Sequence, residues 1–514
     1  MVYCARPSKS CHGCRQRRIK CDLRVPACTQ CKRAGMKCAG YRDQLSLLFR
    51  DENARTKHRS ATAKDRSRQA EIHRNRVKQD QYILRVTAGP SMSIEEGGLS
   101  FFLNRFTTVT QWSLAGQSSI DGTIHPFIRS LISTEPSRDA LISVGLAALS
   151  NVTGDKACLR LALQKYVNGI MHVRKALEEP AKADLDDTLK LAAMLTLFEI
   201  SELIKDQLVR NDSGHINSWN IHANGVLALF RRLNSNRMPG TPHNMADLQS
   251  YAFFILRYFI SGGEIPHEVL EWSAPEYSSP MLNNAAALIS ILVHFVRFDD
   301  ALKKAAFNVD AEEAVRQALI IDTKLKDWQA SLSSDYWSYV IQESSEYSGV
   351  YQGKYHIYQN VWASRMLNHY RWSRIRVNEL LYWYISKLAV PTTSQITQQQ
   401  TSLITISRMA TEICISVPNH SRFLGVRFGS LANDQAESPP LNGVFVLLFP
   451  LIIAGSAIGV SDELHEWVVK ILGMIGSTMG IGHAAESISV VQSVREAKKR
   501  ADPWNASIIL PKHS

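Results

Sequence analysis

Six cysteines near the N-terminus are the residues of this chain whose type and spacing could do chemistry: Cys11, Cys14, Cys21, Cys28, Cys31 and Cys38. They read C-x2-C-x6-C-x6-C-x2-C-x6-C, and the second triplet repeats the first 17 residues on. A disulfide framework does not need that regularity, but it suits a metal cluster. Two tetrahedral zinc ions require eight ligand positions. Six thiolates supply eight when two of them bridge both ions. One cysteine of each C-x-x-C can bridge, and the constant offset gives the cluster an approximate two-fold symmetry.

The elements that must position these thiols are short and cationic. Cys14 to Cys21 reads C-R-Q-R-R-I-K-C, a short helix candidate carrying Arg15, Arg17, Arg18 and Lys20, with Ile19 as its one apolar residue. Pro26 sits in the link between the halves. Gly35 lies where a second helix would end, a place that suits left-handed backbone.

At these residues the chain resembles the fungal zinc binuclear cluster transcription factors. The motif S-C-H-G-C-R-Q-R-R-I-K-C-D-L-R-V-P-A-C-T-Q-C-K-R-A-G-M-K-C-A-G-Y matches all six cysteines, the basic first helix, the linking proline and the late glycine. The resemblance implies two Zn2+ as cofactor, with Cys11 and Cys28 bridging. It implies a first helix that enters the major groove of double-stranded DNA and reads a CGG triplet from its C-terminal end. Arg17 and Arg18 hold the base-contact positions; an arginine fork matches guanine O6 and N7. Arg15 and Lys20 are expected on the phosphates.

Charge supports a polyanion partner. Residues 1–85 carry 22 Lys and Arg against 7 Asp and Glu, a surplus of 15. Residues 86–514 carry 37 against 40, a deficit of 3. No apolar leader opens the chain, and Cys158 and Cys414 stand isolated, so a reducing interior and the nucleus are the expected setting. Cys4, outside the repeat, is expected to be a free exposed thiol.

The expected layout is a Zn2Cys6 finger at 8–42, a basic linker at 43–90 and an all-helical body at 91–514. The fold class is all-α. Ile72, Val77, Ile83 and Val86 keep no heptad, so the linker shows no coiled coil. Any homodimer would then form through the body. In the body, apolar residues recur at spacings of 3 and 4, and no convincing alternating strand is seen. Breaks are expected near 179–180, 238–240, 278–280, 391–401 and 432–440. Leu441 to Val460 is uncharged and long enough to span a bilayer, but Asn442, Pro450, Gly455 and Ser456 interrupt it. It reads as a buried core helix, and no membrane is expected. L-F-E at 197–199, W-N-I-H-A-N-G at 219–225, P-L-I-I-A-G at 450–455 and M-G-I-G-H-A-A at 479–485 resemble the helical regulatory domain that follows this finger in many fungal factors.

No nucleotide-binding, zinc-protease or hydrolase motif occurs, so no enzyme is expected. His215, Trp219 and His222 read as a packed stripe. Tyr355, Tyr358, Trp362, Tyr370, Trp372, Tyr382, Trp383 and Tyr384 read as core, with an effector pocket as the sharper alternative. The functional expectation is a regulator of RNA polymerase II genes, more an activator than a repressor, acting with the transcription machinery. Two readings compete with it. One is a zinc-thiolate storage protein, which has no need of the helix cations. The other is a ligand-binding or catalytic helical body tethered to chromatin.

Overall fold

A computed structural model describes residues 9–41, 93–107, 126–179, 184–201, 279–305, 309–332, 335–343, 349–358, 361–420 and 443–499, with short stretches between 224 and 277. Cys4, the linker at 43–90, the stripe of His215, Trp219 and His222, and the breaks expected at 238–240 and 432–440 lie outside the described residues. The chain divides into two compact units, residues 1–82 and 83–514.

In the first unit, α1 (His12–Gln16) and α2 (Thr29–Arg33) have five residues each. This corrects the helix expected over Cys14 to Cys21. Arg18 takes φ of +53°, a left-handed conformation that a right-handed helix cannot pass through. The two halves follow one backbone course at the 17-residue offset. Arg17 caps α1 as Ala34 caps α2. Arg18 matches Gly35 (φ +63°), and Leu23 (φ +59°) matches Gly40 (φ +81°). Ile19 N donates to Cys14 O at 3.0 Å, and Met36 N donates to Cys31 O at 3.0 Å. The cysteine repeat is thus a repeat of local structure.

The second unit is helical, as expected. Its helices among the described residues include α3 (Ile94–Phe106), α4 (Pro126–Ser133), α5 (Glu135–Thr153), α6 (Lys156–Glu178), α7 (Leu185–Ser201), α8 (Pro280–Ala305), α9 (Ala311–Ser331), α10 (Val361–Ser386), α11 (Thr393–Ser416), α12 (Val444–Ser456), α13 (Asp462–Met479) and α14 (Gly482–Lys499). Local sequence sets their ends. Gly154 closes α5 at φ +79°, and Asp155 opens α6 by accepting from Ala157 N. Thr392 and Gln395 form a capping box on α11, so the break expected through Thr401 is confined to the residues before Thr393. α5 packs on α3, α6 and α7, while α10 packs on α9, α11 and α12. A Cβ on Gly145 would stand 1.9 Å from Gly98 O, so glycine is what lets α3 and α5 touch backbone to backbone.

A hairpin interrupts the helices: β1 (Tyr339–Glu343) pairs antiparallel with β2 (Lys354–Tyr358), Tyr339 opposite Tyr358 and Glu343 opposite Lys354. The sequence reading misses it because β1 is exposed along nearly its whole length. It therefore has no in–out alternation to reveal it.

α12 is the core helix expected within 441–460. Its 13 residues span about 20 Å, short of the ~30 Å hydrocarbon core of a bilayer, and Val444, Leu447, Leu451 and Ile453 are buried. α8 is long and apolar enough to cross a membrane, yet half of its apolar window is buried inside the body.

α10 is buried around most of its circumference and carries a polar spine. Arg374 Nε lies 2.7 Å from Asp322 Oδ1 on α9, and Asn378 Nδ2 donates to the same oxygen at 2.8 Å. Glu379 accepts from Arg376, from Ile458 N at 3.0 Å and from Lys498 Nζ on α14 at 2.7 Å. Arg371 donates to Tyr358 OH at 2.7 Å and to Glu412 Oε2 at 3.3 Å, fastening β2 and α11. Tyr358, Trp362, Tyr370, Trp372 and Tyr384 are buried, and Trp372 packs with Phe259, Phe295 and Phe449. Core packing accounts for this part of the aromatic cluster.

Candidate metal centre and nucleic-acid interface

α1 and α2 each begin on a cysteine. Cys11 is the N-cap of α1, its Sγ accepting from Cys14 N at 3.4 Å. Cys28 is the N-cap of α2 and accepts from Cys31 N at 3.4 Å. A helix start leaves backbone N–H groups without partners, and these two sulfurs satisfy one each. Each therefore receives hydrogen-bond support for negative charge before any metal is considered.

The six sulfurs form two interlocking sets. Cys11, Cys14, Cys21 and Cys28 have all ligand atoms within 4.8 Å of one another, and so do Cys11, Cys28, Cys31 and Cys38. Cys11 and Cys28 belong to both, which puts the two helix-capping cysteines at the bridging positions. Sulfur separations are 3.6 Å for Cys11–Cys28, 3.8 Å for Cys11–Cys31 and 3.5 Å for Cys14–Cys28. A tetrahedral zinc with Zn–S of about 2.3 Å sets its sulfurs about 3.8 Å apart. A disulfide would need about 2.05 Å. The donor set fits two zinc ions and excludes a cross-linked framework.

Protein groups alone leave the thiols unequal. Burial, then the neighbouring sulfurs of Cys28 and Cys11, push the Cys14 thiol well up. Cys21 is pulled down to about 7, first by the backbone of Cys11, and Cys38 to about 7, first by the backbone of Cys28. Bound zinc favours the thiolate at every position.

Three features of the site escape sequence reasoning. Tyr41 packs on the cluster, and its hydroxyl donates to Arg24 O at 2.6 Å. Asp22 accepts from Thr29 N at 3.1 Å and from the Thr29 hydroxyl, tying the link to the start of α2. Arg17 is half-buried, with Nη2 3.6 Å from Cys31 Sγ and Nε donating to Gly13 O at 3.3 Å. Motif spacing places Tyr41 and Asp22 but gives no sign of what they touch. Arg15, Arg18 and Lys20 are exposed. The structure thus brings all six sequence-expected ligands together, leaves three of the four expected DNA-facing cations free of the cluster, and sets Arg17 against it.

Residues 9–47 match the family model of the fungal Zn(2)-Cys(6) binuclear cluster domain. White-opaque regulator 2 of Candida albicans (strain SC5314 / ATCC MYA-2876) is 45% identical over 51 residues, which are 10% of this chain and 11% of that protein. The chain thus covers about a tenth of the length of this relative. No solved structure matches the chain. With two interlocked sets of four sulfurs and this match over the same residues, the head of the chain belongs to the fungal zinc binuclear cluster family and binds two zinc ions.

Proposed function

We propose that this chain is a DNA-binding regulator of transcription that acts in the nucleus on RNA polymerase II genes, with activation the favoured direction. The observation that carries it is the exposure of Arg15, Arg18 and Lys20 on a zinc-organised head that holds most of the chain's positive surplus. A zinc store has no need of such a face. The relative's name describes a regulator, which agrees with this reading.

In this proposal the head, residues 8–42, enters the major groove at the end of α1. Arg18 offers its fork to guanine in a CGG-type triplet, with Arg17 beside it. Arg15 and Lys20 neutralise phosphates. The body, residues 91–514, is a regulatory domain that supplies any homodimer contact and meets the transcription machinery. Zinc supplies no chemistry beyond holding the thiolates; base reading falls to the arginine side chains. The test is selection of bound DNA from a random pool with the zinc-loaded full chain. Enrichment of a CGG-type triplet is the expected result. Binding without any enriched sequence overturns the reader role, and no binding at moderate salt overturns the function.

A further inference from the structure

The 17-residue symmetry of the head is broken at one point that bears on the metal. Every position from Cys11 to Cys21 has a counterpart in the second half. Arg17 corresponds to Ala34, and Gly13 corresponds to Gln30. Arg17 leaves its own half: Nη2 reaches Cys31 Sγ at 3.6 Å while Nε holds Gly13 O at 3.3 Å. Gly13 makes room for this, since a Cβ there would lie 3.3 Å from Cys31 Sγ. Ala34 has no donor to return to Cys14, and Gln30 fills the place where Gly13 opens the first half.

Four of the other sulfurs are served by the backbone. Cys11 and Cys28 accept the N–H groups of Cys14 and Cys31. Cys21 is supported by the backbone of Cys11 and Leu23, and Cys38 by that of Cys28 and Gly40. Cys31 differs in receiving a side-chain cation. Six thiolates and two Zn2+ sum to a charge of −2, so a guanidinium on one sulfur neutralises charge where zinc alone does not. Donors to a metal's ligands fix their orientation and hold the metal.

We propose that Arg17 is a positioning residue of the metal cluster: by clamping Cys31 from the opposite half it retains the zinc that Cys31 helps to bind, and it leaves Arg18 as the principal base reader. The division of labour rests on the DNA-reading function proposed above; the clamp on zinc does not.

The experiment uses the zinc-loaded full chain and its variants Arg17→Ala, Arg17→Lys and Arg18→Ala. Zinc transfer to a chromophoric chelator is timed, and each variant's base preference is measured on DNA selected by the parent chain. Arg17→Ala should release zinc about tenfold faster than the parent, the low end for loss of a group that supports a metal ligand. Arg17→Lys keeps the charge without the rigid fork and should fall between them. Arg18→Ala should release zinc at the parent rate while losing base preference. If Arg17→Ala retains zinc as the parent does, or if Arg18→Ala releases it equally fast, the clamp is wrong. Should Arg17→Ala fail to load zinc, the Arg17→Lys rate decides, and a parent rate there overturns the proposal. If the parent binds no DNA, the function proposed above fails while the release rates still judge Arg17.

Discussion

Arg18 is subject to two opposing demands. Its φ of +53° is a conformation that glycine adopts freely, and its counterpart Gly35 is glycine. An L-residue there costs roughly 1 kcal/mol. Its exposed guanidinium is meanwhile, in the proposed function, the group that meets a base. Arg18→Gly should therefore raise hydrogen-exchange protection of the Ile19 amide, which donates to Cys14 O, while DNA discrimination falls by about 1–3 kcal/mol. Exchange and binding moving in the same direction would refute this account. Lys20→Ala should weaken all DNA sequences alike and lower the slope of log affinity against log salt by about one. Among the ligands, Cys28→Ala should cost more zinc than Cys38→Ala, because Cys28 lies in both thiolate sets and Cys38 in one. Native mass spectrometry after mild chelation reads the difference. The ligands were legible in the sequence because spacing alone encodes them. The direction taken by Arg17 was not, since only the folded head brings Gly13 and Cys31 within its reach.

At the scale of elements, α10 makes the body sensitive to acid. His356, His369 and His420 are buried around it, and burial followed by nearby arginine charge lowers them to about 2, 4 and 3. Their polar partners come from several elements. His356 Nδ1 lies 2.8 Å from Tyr358 OH, and Nε2 lies 3.4 Å from Glu412. Trp372 Nε1 donates to His369 Nδ1 at 3.0 Å, and Asn368 Nδ2 to His420 Nε2 at 3.0 Å. In the unfolded chain each histidine gains a proton near pH 6.5, whereas in the folded chain each stays neutral. Below 6.5 the unfolded state binds more protons, so stability falls with pH, by up to about 1.4 kcal/mol per unit for each histidine. The urea midpoint of the body should drop between pH 7.5 and 5, and His356→Gln should flatten the slope. A midpoint constant over that range would contradict the buried neutral assignment. Gly145→Ala should cost about 1–3 kcal/mol in thermal unfolding, because the new methyl meets Gly98 O. Helical periodicity announced α10, and an uncharged apolar run announced α12 despite Pro450. It could not announce the hairpin, whose β1 faces solvent, nor the start of α11 at Thr393, where a polar run conceals a capping box.

For the molecule as a whole, a basic head and a slightly acidic body answer different questions. In the proposed function one short reading element would meet three base pairs, too few to locate a gene among a genome of competing triplets. With no heptad after Cys38, residues 1–90 should sediment as a monomer on DNA carrying one or two triplets, with strong salt dependence. The full chain should pair on two triplets if the body supplies the contact. A stable dimer of the short segment would move the pairing function to the linker. The head's role could be read from residue types because metal and phosphate chemistry demand particular side chains. The body's role could not, since a helical core demands only apolar side chains at intervals, and many functions share that requirement.

The attachment of α14 bears on how this chain tolerates premature termination. Lys498 lies one residue from the end of α14 yet reaches Glu379 at 2.7 Å, 119 residues away. Arg495 donates to Val460 O at 3.2 Å and to Asp462 at 2.6 Å. A nonsense mutation that deletes only the last turn of α14 would leave the buried Glu379 carboxylate with Arg376 as its one cation among the described residues. Removing one partner of a buried pair costs about 3–5 kcal/mol. Alleles shortened by a few codons before residue 499 should therefore behave as losses of protein, with low abundance and rapid turnover, rather than as regulators freed of a tail.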